Sequence, residues 1–414
     1  MTEAPPSPLK VQCCIAGGGP AGMMAGYILA RAGVDVLVLE KHADFLRDFR
    51  GDTVHPSTLQ AMHELGLLAE FLKRPHDEFR ELSAQIEQTG FRVADFRHLP
   101  TQAKFVAVMP QWEFLNFLAE AGKRLPNFKL RMLTEAVDII EENGGVTGVR
   151  VASSSGASEI RADLVIAADG RDSRLRARAG FKVRDLGAPI DVLWMRLPRR
   201  PDDAVVPLGR LGAGYMFVMI ARGDYFQCAF VVPKGGYDAV KARGLPAFRE
   251  HIRAIAPFLG GRVETLRDWD DVKLLTVTVD RLEQWWRPGL LCIGDAAHAM
   301  SPIGGIGINL AVQDAVAAAN ILSGPLMRGA VRDSDLAKVQ RRRSRPVALI
   351  QSMQLLIQDR ILSPALNTSR PIKPPLAIKL LDRFAWLRRW PARVVGMGFR
   401  MEHVRIDDKH PDGV

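Results

Sequence analysis

Three stretches of this 414-residue chain predict an α/β fold. The first is a glycine-punctuated strand–helix–strand unit at residues 11–40. The second is a pair of short apolar strands, 162–168 and 289–293, each running into an aspartate. The third is a long run of strand patterns with Gly and Pro breaks at 181–280. Together they describe a Rossmann-like domain interrupted by an inserted antiparallel β-sheet, followed by a helical C-terminal region.

In the first stretch, VQCCIAGGGPAGMMAGYILARAGVDVLVLE, Val11 to Ala16 is a short apolar run suited to a strand buried on both faces. Gly17, Gly19 and Gly22 then form G-x-G-x-x-G where strand should become helix. Gly17 allows the sharp turn, Gly19 lets backbone N–H groups approach a pyrophosphate, and Gly22 and Gly26 let the helix lie close to the sheet. The helix ends at Gly33, and a second strand delivers Glu40 about 20 residues past the loop. An acid there accepts hydrogen bonds from ribose hydroxyls and disfavours a 2′-phosphate, which favours NAD or FAD over a phosphorylated dinucleotide.

After Glu40 comes a loop carrying Arg50, Asp52 and His55, then an amphipathic helix from Pro56. Arg50 is close enough in sequence to fold back on the same phosphates. His55 lies on a stretch that could pass the ring end of a bound cofactor, although a His-Pro before a helix is also an ordinary turn. Residues 78–109 alternate as short antiparallel strands, and QWEFLNFLAEAGKRL is a helix with Gln111 at its start, where an amide reaches a ligand or caps the helix.

The strand at 162–168 stops at Asp169-Gly170, and the following residues give D-G-x-x-S-x-x-R with Ser173 and Arg176. An acid at the carboxyl end of a buried parallel strand is where open α/β sheets bind ligands. The strand at 289–293 ends in Gly294-Asp295, and Ser301-Pro302-Ile303-Gly304-Gly305-Ile306-Gly307-Ile308-Asn309 leads into a small-residue helix expected to end at Gly324-Pro325. Asp295 suits a sugar-like hydroxyl. Gly304 to Asn309 place backbone N–H groups at a helix N-terminus, which stabilises negative charge of the kind a reduced flavin carries. His298 is read as structural.

In the inserted region, GYMFVMIARGDYFQCAFVVPKGG makes a hairpin turning at Arg222-Gly223-Asp224. Residues 215–220 and 225–232 together are expected to line an organic substrate's pocket, with Tyr215 and Tyr225 as candidate activating groups beside His55. Arg196 and Arg222 are candidate anchors for an acidic group, Arg222 being expected in solvent. Residues 331–403 are expected to form two or three helices broken at prolines including Pro346.

Four cysteines, Cys13, Cys14, Cys228 and Cys292, lack metal-ligand spacing and read as core residues of a reduced compartment; no metal site is expected. The start MTEAPPSPLK has no signal-peptide core and no uninterrupted apolar run reaches bilayer length, so the expected location is cytoplasmic. Residues 325–414 hold 18 Lys and Arg against 8 Asp and Glu, the whole of the chain's net charge of +10. Such a region is read first as a solvated helical face, with weak contact to an anionic membrane as the alternative and no nucleic acid as partner.

The motifs at 17–22 with Glu40, at Asp169-Gly170, and at Gly294-Asp295 with its Pro and Gly loop resemble, in order and spacing, the group A flavoprotein aromatic hydroxylases, the para-hydroxybenzoate-hydroxylase-like family. The resemblance covers about residues 10–330. It implies that FAD is the cofactor, that Arg50 and Gln111 contact it, that Asp295 and the following loop hold ribityl chain and ring, and that Pro302 sits beside the reacting flavin carbon. It implies a single-component monooxygenase: NADH or NADPH reduces the flavin, O2 forms a C4a-hydroperoxide, and one oxygen passes to an electron-rich aromatic or polyketide-like substrate. Ala168 departs from the glycine that often precedes Asp-Gly in that family. The division implied puts 1–77, 101–180 and 281–330 in the FAD-binding domain, 78–100 and 181–280 in the substrate-binding sheet domain, and 331–414 in the helical region. The rival readings are a flavin-dependent reductase or dehydrogenase of isoprenoid or quinone type, and a flavin-binding interaction protein docked by its basic tail. A halogenase reading lacks its W-x-W-x-I-P signature at Trp285-Trp286-Arg287-Pro288.

Overall fold

A computed structural model of the chain describes residues 9–46, 53–154, 156–203 and 209–410. Arg50 and Asp52 lie outside the described residues. The strand Leu9–Ala16 is the centre of a sheet in which Leu290–Cys292, Gly156–Ala167, Leu9–Ala16, Val36–Leu39 and Phe128–Arg131 run parallel in that order. Cys13 to Ala16 are at most 1% exposed, because a parallel sheet covered by helices on both faces has no solvent side. The helix Pro20–Arg31 lies on it so closely that a Cβ on Gly26 would meet Val38 Cγ2 at 2.7 Å, and one on Gly22 would meet the Gly17 carbonyl oxygen at 2.0 Å. All four cysteines are free and buried in strands, and burial pushes the Cys14 thiol up to about 12.

A second sheet runs Lys273–Leu275, Ile190–Pro198, Tyr225–Pro233, Tyr215–Arg222, Gly209–Gly212, Glu81–Ile86 and Thr89–Asp95; all its pairings are antiparallel except Gly209–Gly212 with Glu81–Ile86. The architecture is thus α/β, with a Rossmann-like layer, a largely antiparallel sheet and C-terminal helices. The second sheet has two apolar faces. On one, Phe217, Met219, Cys228 and Phe230 pack with Phe248 and Ile252 of the helix Leu245–Ile255. On the other, Met216, Val218, Ala229 and Val231 turn toward a cavity and toward Leu362 and Leu366. Cross-strand pairing puts Val218 opposite Ala229 and Met216 opposite Val231, so this face is a continuous apolar floor.

The C-terminal helices correct two expectations. Pro325 lies inside the helix Gly307–Met327, and Pro346 lies inside the helix Asp333–Ile357, which continues through Gln358–Leu362 into Ser363–Leu366. A proline removes one helical hydrogen bond, but here Val339, Arg343, Val347, Ile350 and Gln351 are all buried along the same helix, and that packing outweighs the local loss. The helix Gly307–Met327 is part of a segment long and apolar enough to cross a membrane, yet 78% of that segment's apolar window is buried inside the protein, as a core helix.

Candidate cofactor and substrate site

One cavity of about 970 Å³ joins the two sheets. Its walls at one end are the residues just past the tips of the parallel strands, Gly17 to Ala21, Glu40, Asp169 and Asp295, together with Gln111 at the start of the helix Gln111–Lys123. Pro302 to Gly305, Gly307 and Ile308 stand in the same wall, and the apolar floor of the second sheet closes the other end.

Two helix N-termini open on this cavity. The helix Pro20–Arg31 begins at Gly19 with no side-chain cap and no acid in its first turn, and Gly307–Met327 likewise begins without either. Uncapped N–H groups and the positive helix end make both starts receptive to an anion. Gly17 takes φ +108° to make the turn, and a Cβ there would meet the Ala168 carbonyl oxygen at 2.3 Å. Gly19 differs: a Cβ there would meet none of the described residues within 4 Å. Its missing side chain is not required by the protein's own packing and leaves space on the cavity side.

Glu40 ends the second strand with Oε2 accepting the Gly18 N–H at 3.1 Å and Oε1 facing His42 Nδ1 at 2.5 Å. Asp169 is held by the Leu175 N–H on Oδ2 at 3.3 Å. Its Oδ1 is buried without a hydrogen-bond partner among the described residues, and burial raises its pKa against the opposing hydrogen bonds from Ser173 and nearby backbone. Asp295 faces Arg171 at 3.8 Å and is about one-third exposed. Gln111 opens the helix Gln111–Lys123.

Placement departs from expectation at several residues. Gly22 does not line the cavity; it serves the helix–turn packing described above. The Asn309 side chain turns away, accepting the Thr58 hydroxyl at 2.7 Å and lying 3.5 Å from the Val395 carbonyl. Tyr215 and Tyr225 are corrections to the candidate activating groups: strand alternation turns Tyr215 to the helix-covered face, whereas Tyr225 shares the face of Ala229 and Val231 but sits at the far end of its strand, beyond the cavity. Tyr215 packs edge-on to His251 on the helix-covered face, and Tyr225 lies under Arg196 at 5.0 Å, in a separate shallow pocket with Asp270 and Lys273. Alternation likewise removes Phe217 and Met219, and on the next strand Phe226, Cys228, Phe230 and Val232, from the proposed lining. Arg222 is 5% exposed rather than solvated, and neither it nor Arg196 lines the cavity.

His55 does reach it. The Nδ1–H donates to the Val395 carbonyl at 2.8 Å, and Nε2 lies 3.1 Å from Thr53 Oγ1, which is also 3.1 Å from the Gly305 carbonyl. Burial pushes the His55 pKa down to about 4 despite the backbone acceptors, so the ring is neutral near pH 7. Nε2 is then an acceptor, and the single Thr53 hydroxyl proton serves either it or Gly305.

The sequence reading missed the support beneath the Gly294 turn. Asp314, in the middle of the small-residue helix, accepts the Gly294 N–H at 3.1 Å, His298 Nε2 at 2.5 Å and Arg343 Nε at 2.9 Å. Burial opposes its charge, yet the facing His298 and Arg343 hold its carboxyl below the usual range. His298 is 1% exposed and structural. The signal was present as a lone acid in NLAVQDAVAAANIL. Its partner Arg343, far along the chain, carries no local pattern.

A profile of the family described as "FAD binding domain" matches residues 10–352. The chain belongs to this family. It is 32% identical over 401 residues to a 6-methylpretetramide 4-monooxygenase from Streptomyces rimosus, a match covering 95% of this chain and 94% of that one. Among solved structures, a probable FAD-dependent monooxygenase of Pseudomonas aeruginosa superposes with TM-score 0.73 at 22% identity, over 86% of this chain and 97% of that one. The OxyS anhydrotetracycline hydroxylase from Streptomyces rimosus gives 0.72 at 21%, over 94% and 76%. The likeness to these structures is one of fold.

The residues present fit FAD. The open side of Gly19 admits a pyrophosphate to a helix start, the Glu40 carboxylate stands at the tip of the second strand beside that turn, and Asp169 Oδ1, without a partner among the described residues, asks for a donor. The second helix start, at Gly307, suits the electron-rich edge of an isoalloxazine ring.

Proposed function

We propose that this chain is a single-component FAD-dependent monooxygenase that uses NADH or NADPH and O2 to hydroxylate a bulky, largely apolar aromatic or polyketide-like substrate. One observation carries the reading: the dinucleotide cradle and the apolar floor of the second sheet are parts of one cavity, meeting at Pro302 to Gly305. When bound, FAD supplies the redox chemistry, taking a hydride from the nicotinamide and activating O2. The protein's part is to bind, orient and exclude water. Gly17, Gly19, Glu40 and Gln111 hold the nucleotide arm; Asp169 and Asp295 take its hydroxyls; Pro302, Gly307 and Ile308 seat the ring. Residues 1–77, 101–180 and 281–330 form this FAD-binding part, 78–100 and 181–280 the substrate sheet, and 331–414 the helical region. Buried free thiols support a reducing, cytoplasmic setting.

The floor favours an apolar guest. Of the described lining residues in 53–106 and 190–275, His55 is the only titratable one. Desolvating a small dianion there, without a paired cation, is costly. Nor does His55 serve as a base for a phenol: with its pKa near 4, taking a proton from a group near 10 is uphill by about six units, or ~8 kcal/mol. His55 positions Thr53 instead, and the substrate's own acidity governs its activation. The test is NAD(P)H oxidation by the purified yellow protein across a panel of polycyclic phenols and small hydroxybenzoates. Stimulation by the bulky compounds is expected. Stimulation by hydroxybenzoates alone would overturn the substrate class, and NAD(P)H consumption without O2 uptake would indicate a reductase.

A further inference from the structure

The segment 371–400 carries seven Lys and Arg against one acid, and that acid, Asp382, is already tied to Arg92 through its backbone N–H at 3.0 Å and its side chain at 3.6 Å. The same segment holds a concentration of exposed large apolar side chains: Leu376 at 71%, Trp386 at 67% and Trp390 at 71% exposure, with Leu380, Phe384 and Phe399 each at 40% or more. On the helix Leu376–Arg383, Leu376 and Leu380 are one turn apart on one face, with Lys379 and Arg383 beside them. On the helix Arg389–Met397, Ala392, Val394 and Met397 are buried while Arg389, Trp390 and Arg393 face outward. Arg388 is buried and fixes the corner between these helices by donating to the Leu381 and Asp382 carbonyls, both at 3.0 Å. The exposed face is therefore a held surface.

Apolar and aromatic side chains interleaved with cations, on helices anchored by their other side, form an interfacial binding surface, in which tryptophans sit at headgroup depth and cations meet anionic lipid. We propose that residues 376–400 dock this protein onto the surface of an anionic bilayer. A second copy is the poorer occupant. A two-fold contact sets a patch against itself, and this one would bring Lys379, Arg383, Arg389 and Arg393 against their own copies. The surface also adjoins the cavity, since Val395, on the same helix as Trp390, lines it and holds His55. Docking sets the substrate cavity beside the phase in which an apolar substrate dissolves.

The experiment is sedimentation of the FAD-loaded protein with phosphatidylcholine vesicles, with and without phosphatidylglycerol, at low and high salt. It reads binding alone, so its outcome is independent of the oxygenation chemistry. The wild type is expected to sediment with the anionic vesicles, and less so at high salt. Lys379→Gln with Arg383→Gln is expected to lower partitioning about 25-fold, roughly fivefold per cation near an anionic surface. Trp386→Ser with Trp390→Ser, both on exposed positions, is expected to abolish most binding while leaving bound FAD and melting temperature unchanged. The proposal is overturned if the wild type stays in the supernatant, or if both double variants sediment as it does. It is equally overturned if the wild type is a dimer that the tryptophan substitutions convert to monomer, which would assign the face to a second copy.

Discussion

The contrast between Gly19 and Gly22 separates a glycine kept for a ligand from one kept for the fold. A Cβ at Gly22 would sit 2.0 Å from the Gly17 carbonyl oxygen, so Gly22→Ala must move backbone and destabilise the protein with or without cofactor. Gly19 has φ −76° and ψ −178°, a conformation open to alanine, and none of the described residues lies within 4 Å of its Cβ position. Gly19→Ala should therefore leave the FAD-free protein with wild-type thermal stability. With FAD the methyl occupies the approach of the pyrophosphate to the helix start. Losing one charge-assisted backbone contact costs about 1.5–3 kcal/mol, so the dissociation constant should rise tenfold or more. The assay pairs flavin-fluorescence titration of the stripped protein with thermal melts of the stripped forms. Wild-type FAD affinity in Gly19→Ala, or a destabilised stripped protein, would refute the reasoning that places the pyrophosphate there.

Three more outcomes follow from the same geometry. His55 binds its proton near pH 4 in the folded state and near 6.5 when unfolded, so the unfolded chain gains protons first as pH falls and stability drops between about 6.5 and 4. At pH 5 this amounts to about 2 kcal/mol, and wild type should lose that much more than His55→Gln between pH 7.5 and 5 in denaturant melts; parallel losses would show His55 exposed or already charged. Tyr215→Phe and Tyr225→Phe should leave coupled NAD(P)H oxidation within about twofold of wild type, since under ~0.5 kcal/mol is expected from changes away from the cavity, whereas Val218→Trp fills the apolar floor and should raise KM steeply; a lost activity in either tyrosine variant would return it to the site. Among phenols of similar size, turnover should rise as phenol pKa falls toward the assay pH, and a rate indifferent to substrate acidity would reveal a protein base.

The glycine turn, the Asp169 and Asp295 strand ends and the paired hairpin at Gly223 were legible because each is a local demand of backbone or strand. Which face of the second sheet meets the substrate was not legible. The run YMFVMIAR is apolar at every position but its last, because one face packs on a helix and the other floors a cavity, and alternation disappears when both faces are dry. Tyr215 and Met216 are indistinguishable in such a pattern; only the register of Met216 against Val231 assigns them. Long-range support was equally hidden. Neither the Asp314 to Arg343 pair nor the Val395 carbonyl that holds His55 follows from neighbours in sequence. Helical continuity through Pro346 likewise depends on tertiary burial.

The most direct measurement of the central claim is turnover under isotopically labelled O2 with a polycyclic phenol and NAD(P)H, followed by mass analysis of the product and assay of hydrogen peroxide. The expected product is heavier by one labelled oxygen atom and forms in step with NAD(P)H consumed, with little peroxide. A product carrying oxygen from water, or NAD(P)H oxidation that yields a reduced substrate and takes up no O2, would contradict it.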